Sequence, residues 1–207
     1  MPKVKICGIT NKRDALNAVK LGADAIGFMF AKSPRRISVD TAAGIIKELP
    51  PFVSTVGVFV DADKEKVLSI LKKCKLDVLQ FHGQENDNYC LFFKKYCKII
   101  KAFRLQDHNS LKLIRKYKNI DAILCDSFDA KKIGGTGKVF KWDLLKGVKF
   151  NKPLIIAGGV SSINAKGIVG LLAPFALDIS SGVESSPGKK SERMMRDFMN
   201  EVNKITL

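Results

Sequence analysis

Histidine is scarce: the chain has two, His82 and His108. No His, Asp or Glu cluster has the spacing of a metal site, so no metal is expected. The first apolar run leads into KICGIT and lacks GxGxxG. No dinucleotide fingerprint follows it, and no nicotinamide cofactor is expected. The five cysteines, Cys7, Cys74, Cys90, Cys97 and Cys125, are odd in number and scattered, with no CxxC pair. That argues against zinc ribbons and thioredoxin-like redox motifs. It also argues against a disulfide framework, since the chain has 207 residues and no secretion signal. No apolar stretch approaches the roughly 20 residues that span a bilayer. The opening MPKVKICG lacks the apolar h-region of a signal peptide. The expectation is a cytoplasmic protein with no membrane partner.

Acidic residues are also in short supply, 20 against 36 basic ones, for a net charge of +16. Such an excess suits nucleic acid, an anionic surface or an anionic substrate. The basic residues are mostly lysines spread over helix-like segments such as LKKCK, FFKKY and LKLIRKYK. They read as solvated faces with long stems and exposed heads. No aromatics alternate with them as a single-strand binder would need. No specific nucleic-acid partner is therefore expected; a small anionic substrate is.

What the chain does have is one rhythm from end to end. Short apolar runs occupy 3–8, 24–30, 54–60, 77–83, 98–104, 122–127, 153–159 and 175–182. They are nearly continuous rather than alternating, as parallel strands buried on both faces are. Helically spaced segments lie between them. Ala15, Ala18 and Val19 share a face behind a plausible cap, Asn11, and Val67, Leu68 and Leu71 share another. Met195, Phe198, Met199 and Val202 form a core-facing stripe. Eight such units in about 200 residues suit a small (β/α)₈ barrel. A doubly wound open sheet is the competing architecture. With no linker in view, residues 1–207 read as a single domain. The longest irregular piece, 127–140, reads as a functional loop, and its IGGTGKVF as a lid over substrate rather than a Walker A loop.

Barrel active sites lie at the C-terminal strand ends. Here those ends carry Cys7, His82, Asp126, Gly158-Gly159 and the stretch from Asp178 to Gly182. A thiolate is a competent base and a carboxylic acid of raised pKa a competent acid, which makes Cys7 and Asp126 a candidate proton-transfer pair. Taken alone, Cys7 is more simply a buried structural thiol, and Asp126 serves equally as a loop-capping acid. IIAGGV and DISSGVES end the seventh and eighth strands with small residues whose N–H groups can approach a phosphate, the recurrent phosphate site of this fold. Arg35 and Arg36 follow the second strand on a loop stiffened by Pro34, where an arginine can pair two-pronged with a carboxylate. His82 could hydrogen-bond substrate or fill the barrel mouth. His108 reads as surface.

Together these residues resemble the phosphoribosylanthranilate isomerase family over essentially the whole chain. The motifs, in order, are KICGIT, ADAIGFMFAKSPRRIS, VGVFVD, LQFHGQE, IKAF, ILCDS, GGTGKVFKWDLL, LIIAGGV and LDISSGVESSPGKKS. The resemblance implies a (β/α)₈ barrel and an Amadori rearrangement of N-(5-phosphoribosyl)anthranilate in tryptophan biosynthesis. By that resemblance Asp126 is the general acid, Cys7 the general base, and Arg36 the partner of the anthranilate carboxylate. Gly158, Gly159, Ser181 and Gly182 match the phosphate site, Asp178 lies near the sugar hydroxyls, and His82 is a weaker substrate contact. The family includes monomers and homodimers. Rival readings are another phosphate-binding barrel, such as an indole-glycerol-phosphate synthase or a pentose-phosphate epimerase, and a basic nucleic-acid-binding module. The two barrel enzymes lack support where a catalytic lysine set or a metal-binding His/Asp set should be.

Overall fold

Each apolar run of the sequence becomes a strand in a computed structural model that describes residues 1–126 and 141–205. The strands are β1 (Lys3–Cys7), β2 (Ala25–Met29), β3 (Ser54–Phe59), β4 (Val78–Phe81), β5 (Lys98–Arg104), β6 (Ala122–Asp126), β7 (Leu154–Ala157) and β8 (Ala176–Ile179). They pair in chain order, all parallel, and β8 returns to β1, so the sheet closes. The open-sheet alternative is thereby excluded. Closure leaves no exposed sheet edge.

Seven α-helices surround the strands among the described residues. They are α1 (Lys12–Lys20), α2 (Val39–Ile46), α3 (Lys64–Cys74), α4 (Asp87–Phe93), α5 (His108–Ile114), α6 (Ala165–Leu172) and α7 (Glu192–Asn203). Asn11 caps α1 by accepting the Asp14 N–H, as its position predicted. Ser38, Asp63, Asn86, Asp107 and Ser191 do the same for α2 to α5 and α7. Ala15, Ala18, Val67, Leu71 and the Met195–Val202 stripe all pack inward. The sixth unit departs from the eight-helix count. After β6 the described helical segment is a short 3₁₀ turn, Lys141–Leu145, and the chain swings away soon after at Gly147, where φ is +73°. A small antiparallel ribbon was also not foreseen. Its strands β9 (Glu184–Ser186) and β10 (Lys189–Lys190) turn at Pro187-Gly188. Among the described residues no helix is long and apolar enough to cross a membrane.

Two apolar clusters divide the interior. The larger fills the layer between strands and helices. The smaller draws Val56, Ile100, Ala102, Leu124, Ile155, Ala157 and Ala176 from five strands into the barrel itself. On that same inner surface three polar residues are buried: Lys5, Gln80 and Asp178. A polar layer therefore sits inside the barrel beside its apolar plug, next to the C-terminal strand ends.

Candidate active site

Strand alternation places Lys5 and Cys7, two residues apart on β1, on the same inward face. In register, Lys5 lies beside Asp178 of β8, and Cys7 beside Gly27 of β2. Gly27 leaves the space they need. A Cβ there would stand 2.7 Å from the Cys7 sulfur and 3.1 Å from Lys5 Cε. The Lys5 ammonium donates to Asp178 Oδ2 at 2.7 Å and to Gln80 Oε1 at 2.9 Å. Among the described residues the other Asp178 oxygen, Oδ1, is buried without a partner.

The environment of Cys7 differs from that of the other thiols. Burial, with Asp178 adding to it, leaves the Cys7 thiol above its usual range, and Lys5 and Lys190 pull against that rise. Cys125, by contrast, is pushed up to about 12 by burial, with Asp126 adding to the effect and no cation opposing it. Cys90 goes to about 12 and Cys97 to about 11, again through burial first. All five cysteines are free thiols. Cys7 alone among them has two buried ammonium groups acting on it. Burial likewise works against the charge of Lys5, but Asp178 and Cys7 outweigh it, so this lysine holds its proton more tightly than usual.

Asp126, at the end of β6, does not stand alone. Its Oδ2 lies 3.1 Å from His82 Nε2, and His82 Nδ1 lies 3.4 Å from Gln80 Nε2. Both side chains of the Asp126–His82 pair are about one-sixth exposed, at 16% and 18%. The structure thus brings His82 against Asp126, and Cys7 beside Asp178, at one end of the barrel.

The two arginines after β2 part company. Arg35 makes a two-pronged pair with Glu184, Nε at 2.9 Å and Nη2 at 2.7 Å. Lys190 Nζ reaches the same carboxylate at 2.7 Å and the Ser180 carbonyl at 3.1 Å. Burial pushes the Glu184 carboxyl up, but Arg35 and Lys190 outweigh it and hold it below the usual range. Arg35 is therefore committed within the protein. Arg36 is exposed, and among the described residues its guanidinium has no hydrogen-bond or ion-pair partner.

Gly158 and Gly159 follow β7 at φ +80° and +72°, a region that side chains rarely adopt. After β8, Ser181 and Gly182 open a 3₁₀ turn, Ser181–Val183, rather than extending the strand. A Cβ on Gly182 would collide with the Val160 carbonyl, so the loops after β7 and β8 touch. Among the described residues the N–H groups of Gly159, Ser181 and Gly182 have no acceptor. Asn164 braces the first loop, donating to the Gly159 carbonyl and accepting the Ser161 N–H, both at 2.8 Å.

Sequence reasoning missed Lys5, Gln80, Lys190 and Glu184. Lys5 was the most accessible of them, since it shares strand parity with Cys7. The loop over 127–140 lies outside the described residues, as does the side chain of His108. Among the described residues, no three His, Cys, Asp or Glu side chains gather closely enough to hold a metal ion.

A closed parallel barrel, a thiol and a carboxyl at its C-terminal rim, and paired glycine turns after β7 and β8 define a (β/α)₈-barrel enzyme. Comparison with known proteins narrows the class. The family model described as N-(5'phosphoribosyl)anthranilate (PRA) isomerase matches residues 4–201. The chain belongs to that family. It is 45% identical to the N-(5'-phosphoribosyl)anthranilate isomerase of Geobacter sulfurreducens over 200 residues, covering 96% of this chain and 97% of that one. The crystal structure of the Thermotoga maritima phosphoribosyl anthranilate isomerase superposes with a TM-score of 0.92 at 38% identity, over 99% of this chain and 100% of that one. A structure of such an isomerase in complex with reduced 1-(o-carboxyphenylamino)-1-deoxyribulose 5-phosphate superposes with a TM-score of 0.87 at 36% identity, over 99% and 100% of the two chains.

Proposed function

We propose that this chain rearranges N-(5-phosphoribosyl)anthranilate to 1-(2-carboxyphenylamino)-1-deoxyribulose 5-phosphate, the Amadori step of tryptophan biosynthesis. The observation that carries the residue assignment is the division of environments at the rim. Cys7 is the thiol with cations on it, and Asp126 is the carboxyl held by an imidazole.

Asp126 gives a proton to the ring oxygen of the ribose. The C1–O bond breaks as the anilino nitrogen donates its lone pair, leaving a protonated Schiff base. The Cys7 thiolate then removes the C2 proton, and the electron pair of that C–H bond neutralises the nitrogen. The resulting enolamine tautomerises to the ketone. One proton leaves the acid and one reaches the base, so the pair ends with its protonation states exchanged.

The substrate's charges match the remaining groups. Arg36, whose guanidinium has no partner among the described residues, takes the anthranilate carboxylate. The N–H groups at Gly158, Gly159, Ser181 and Gly182 take the phosphate. The unpartnered Oδ1 of Asp178 accepts from a sugar hydroxyl. His82 acts through Asp126 and at the substrate's edge. Residues 1–207 work as one domain in the cytoplasm, and the partner is this small anion rather than a nucleic acid.

The test is direct. Purified protein is mixed with freshly generated phosphoribosylanthranilate, and the loss of its fluorescence is followed. Enzyme-dependent decay is expected. Its absence under conditions where a related isomerase turns over would refute the reading.

A further inference from the structure

We propose that Lys5 is the positioning residue of both ends of this acid–base pair: one buried ammonium holds the Cys7 sulfur and, through Gln80 and His82, orients Asp126. The inference rests on the reading of Cys7 and Asp126 given above, and its argument starts from donors and acceptors alone.

Lysine has three donors and no acceptor. The Gln80 atom that faces Lys5 Nζ at 2.9 Å must therefore be the amide oxygen. That fixes the amide's other end, and the NH₂ group faces His82 Nδ1. Nδ1 then has to accept, so the ring hydrogen sits on Nε2. From there it is donated to Asp126 Oδ2 at 3.1 Å. The chain has one polarity from end to end, and Lys5 sets it.

At its near end the Lys5 side chain lies beside the Cys7 sulfur, since a Cβ on Gly27 would stand 2.7 Å from that sulfur and 3.1 Å from Lys5 Cε, and the ammonium pulls against the rise of the thiol. Gly27 leaves both groups the same pocket on β2. The other charges facing Cys7 are Asp178 from β8, Lys190 from β10 and Arg35 from the loop after β2. Lys190 and Arg35 are both paired with Glu184, which leaves Lys5 as the cation on Cys7's own strand. Asp178 answers the charge of Lys5 through one oxygen. Lys5 is buried, and Asp178 and Cys7 hold its proton more tightly than usual. It acts by charge and direction and never touches the reacting atoms.

Two measurements that need no substrate test this. The first is the pH dependence of Cys7 alkylation by iodoacetamide, read by peptide mass so that the other four thiols do not interfere. Lys5→Met should raise its midpoint by at least about one pH unit, a tenfold loss of thiolate at a given pH, and Lys5→Arg should restore most of it. The second is ring-nitrogen NMR of His82 in a His108→Gln background, where it is the sole imidazole. The hydrogen should sit on Nε2, and Gln80→Glu, which can accept from Lys5 but cannot donate to the ring, should move it to Nδ1. A Cys7 midpoint unchanged in Lys5→Met, or a hydrogen on Nδ1 in the unmodified protein, overturns the proposal. If Lys5→Met does not fold, the His82 spectrum alone decides. Loss of the isomerase reading would instead appear as absent turnover with both measurements as expected.

Discussion

Gly27→Ala adds one methyl group to β2, at the point where the strand passes Cys7. The new carbon would lie 2.7 Å from the Cys7 sulfur, 3.0 Å from the Cys7 Cα and 3.1 Å from Lys5 Cε. Unstrained carbon contacts fall near 3.5–4.0 Å, so the sulfur has to retreat by roughly 1 Å. The backbone cannot give instead. The N–H groups of Gly8 and Ile9 both donate to the Gly27 carbonyl, at 2.9 and 3.0 Å, and bind the two strands together. Overpacking of this kind costs about 1–3 kcal/mol. At about 2–4 °C of melting temperature per kcal/mol for a chain of this size, the loss is easily seen in a thermal melt followed by circular dichroism. The catalytic loss should be larger, because a displacement of about 1 Å in a reacting group costs on the order of 100-fold in rate. The assay is steady-state decay of phosphoribosylanthranilate fluorescence, with kcat and KM separated. The loss should fall on kcat, since Arg36 and the glycine turns, which we propose receive the substrate's charges, lie elsewhere. Gly44→Ala is the control. Gly44 sits within α2 with nothing inside 4 Å of the added carbon, so that variant should gain about 0.5–1 kcal/mol with unchanged kinetics. A Gly27→Ala enzyme that melts lower but keeps the wild-type kcat would refute the assignment of Cys7 to the reaction.

Three further outcomes are expected. Cys7→Ala and Asp126→Asn should each lower kcat by at least about 100-fold, the lower bound for losing a general acid or base, while far-UV circular dichroism stays unchanged. Arg36→Ala should raise KM more than it lowers kcat, and its melting temperature should not move, because the side chain is exposed and makes no pair among the described residues. Glu184→Gln leaves the Arg35 and Lys190 cations facing a neutral amide and should cost about 3 kcal/mol at neutral pH, read by urea unfolding. Because the folded carboxyl lies below its unfolded value, its contribution is present above about pH 4.5 and is lost as pH falls through the folded value. The variant should therefore converge on the wild type in acid. A constant gap at all pH values would refute the charge argument.

The strands were legible because parallel strands buried on both faces are written as unbroken apolar runs. The expected and observed strands differ only at the ends, where Gly8, Gly83 and Gly158-Gly159 belong to turns. The place of the thiol, the acid and the glycine pairs was legible too, since the fold puts each of them at a C-terminal strand end. The sixth unit was not. KWDLLK carries enough apolar residues for a helix turn, but the chain reverses at Gly147 after one short 3₁₀ stretch. Glu184 was also out of reach. Its partner Arg35 lies 149 residues away, and nothing local distinguishes it from a solvated acid. For the same reason PRR offered two equivalent arginines. Only the position of Glu184 shows that Arg35 is committed and Arg36 available.

Lys5 separates the reading of strands from the reading of sites. In KVKIC a lysine at the middle of a run looks like the polar member of a half-exposed strand, and burying it in a barrel looks costly. The cost is met by three arrangements distant in sequence. Asp178 lies beside it in register, Gln80 reaches it from β4, and Gly27 leaves it room. A buried pair of this kind adds little net stability over apolar residues of the same volume. Leucine at 5 and 178 would pack the barrel interior at less electrostatic risk. What the ion pair supplies instead is direction, because an ammonium in a closed ring of strands can face only one way. A sulfur, an amide, an imidazole and a carboxyl then inherit that direction. The polar layer is thus explained by the site it supports rather than by the stability of the barrel. Its members should be far more sensitive in rate than in melting temperature when they are exchanged in charge-matched pairs.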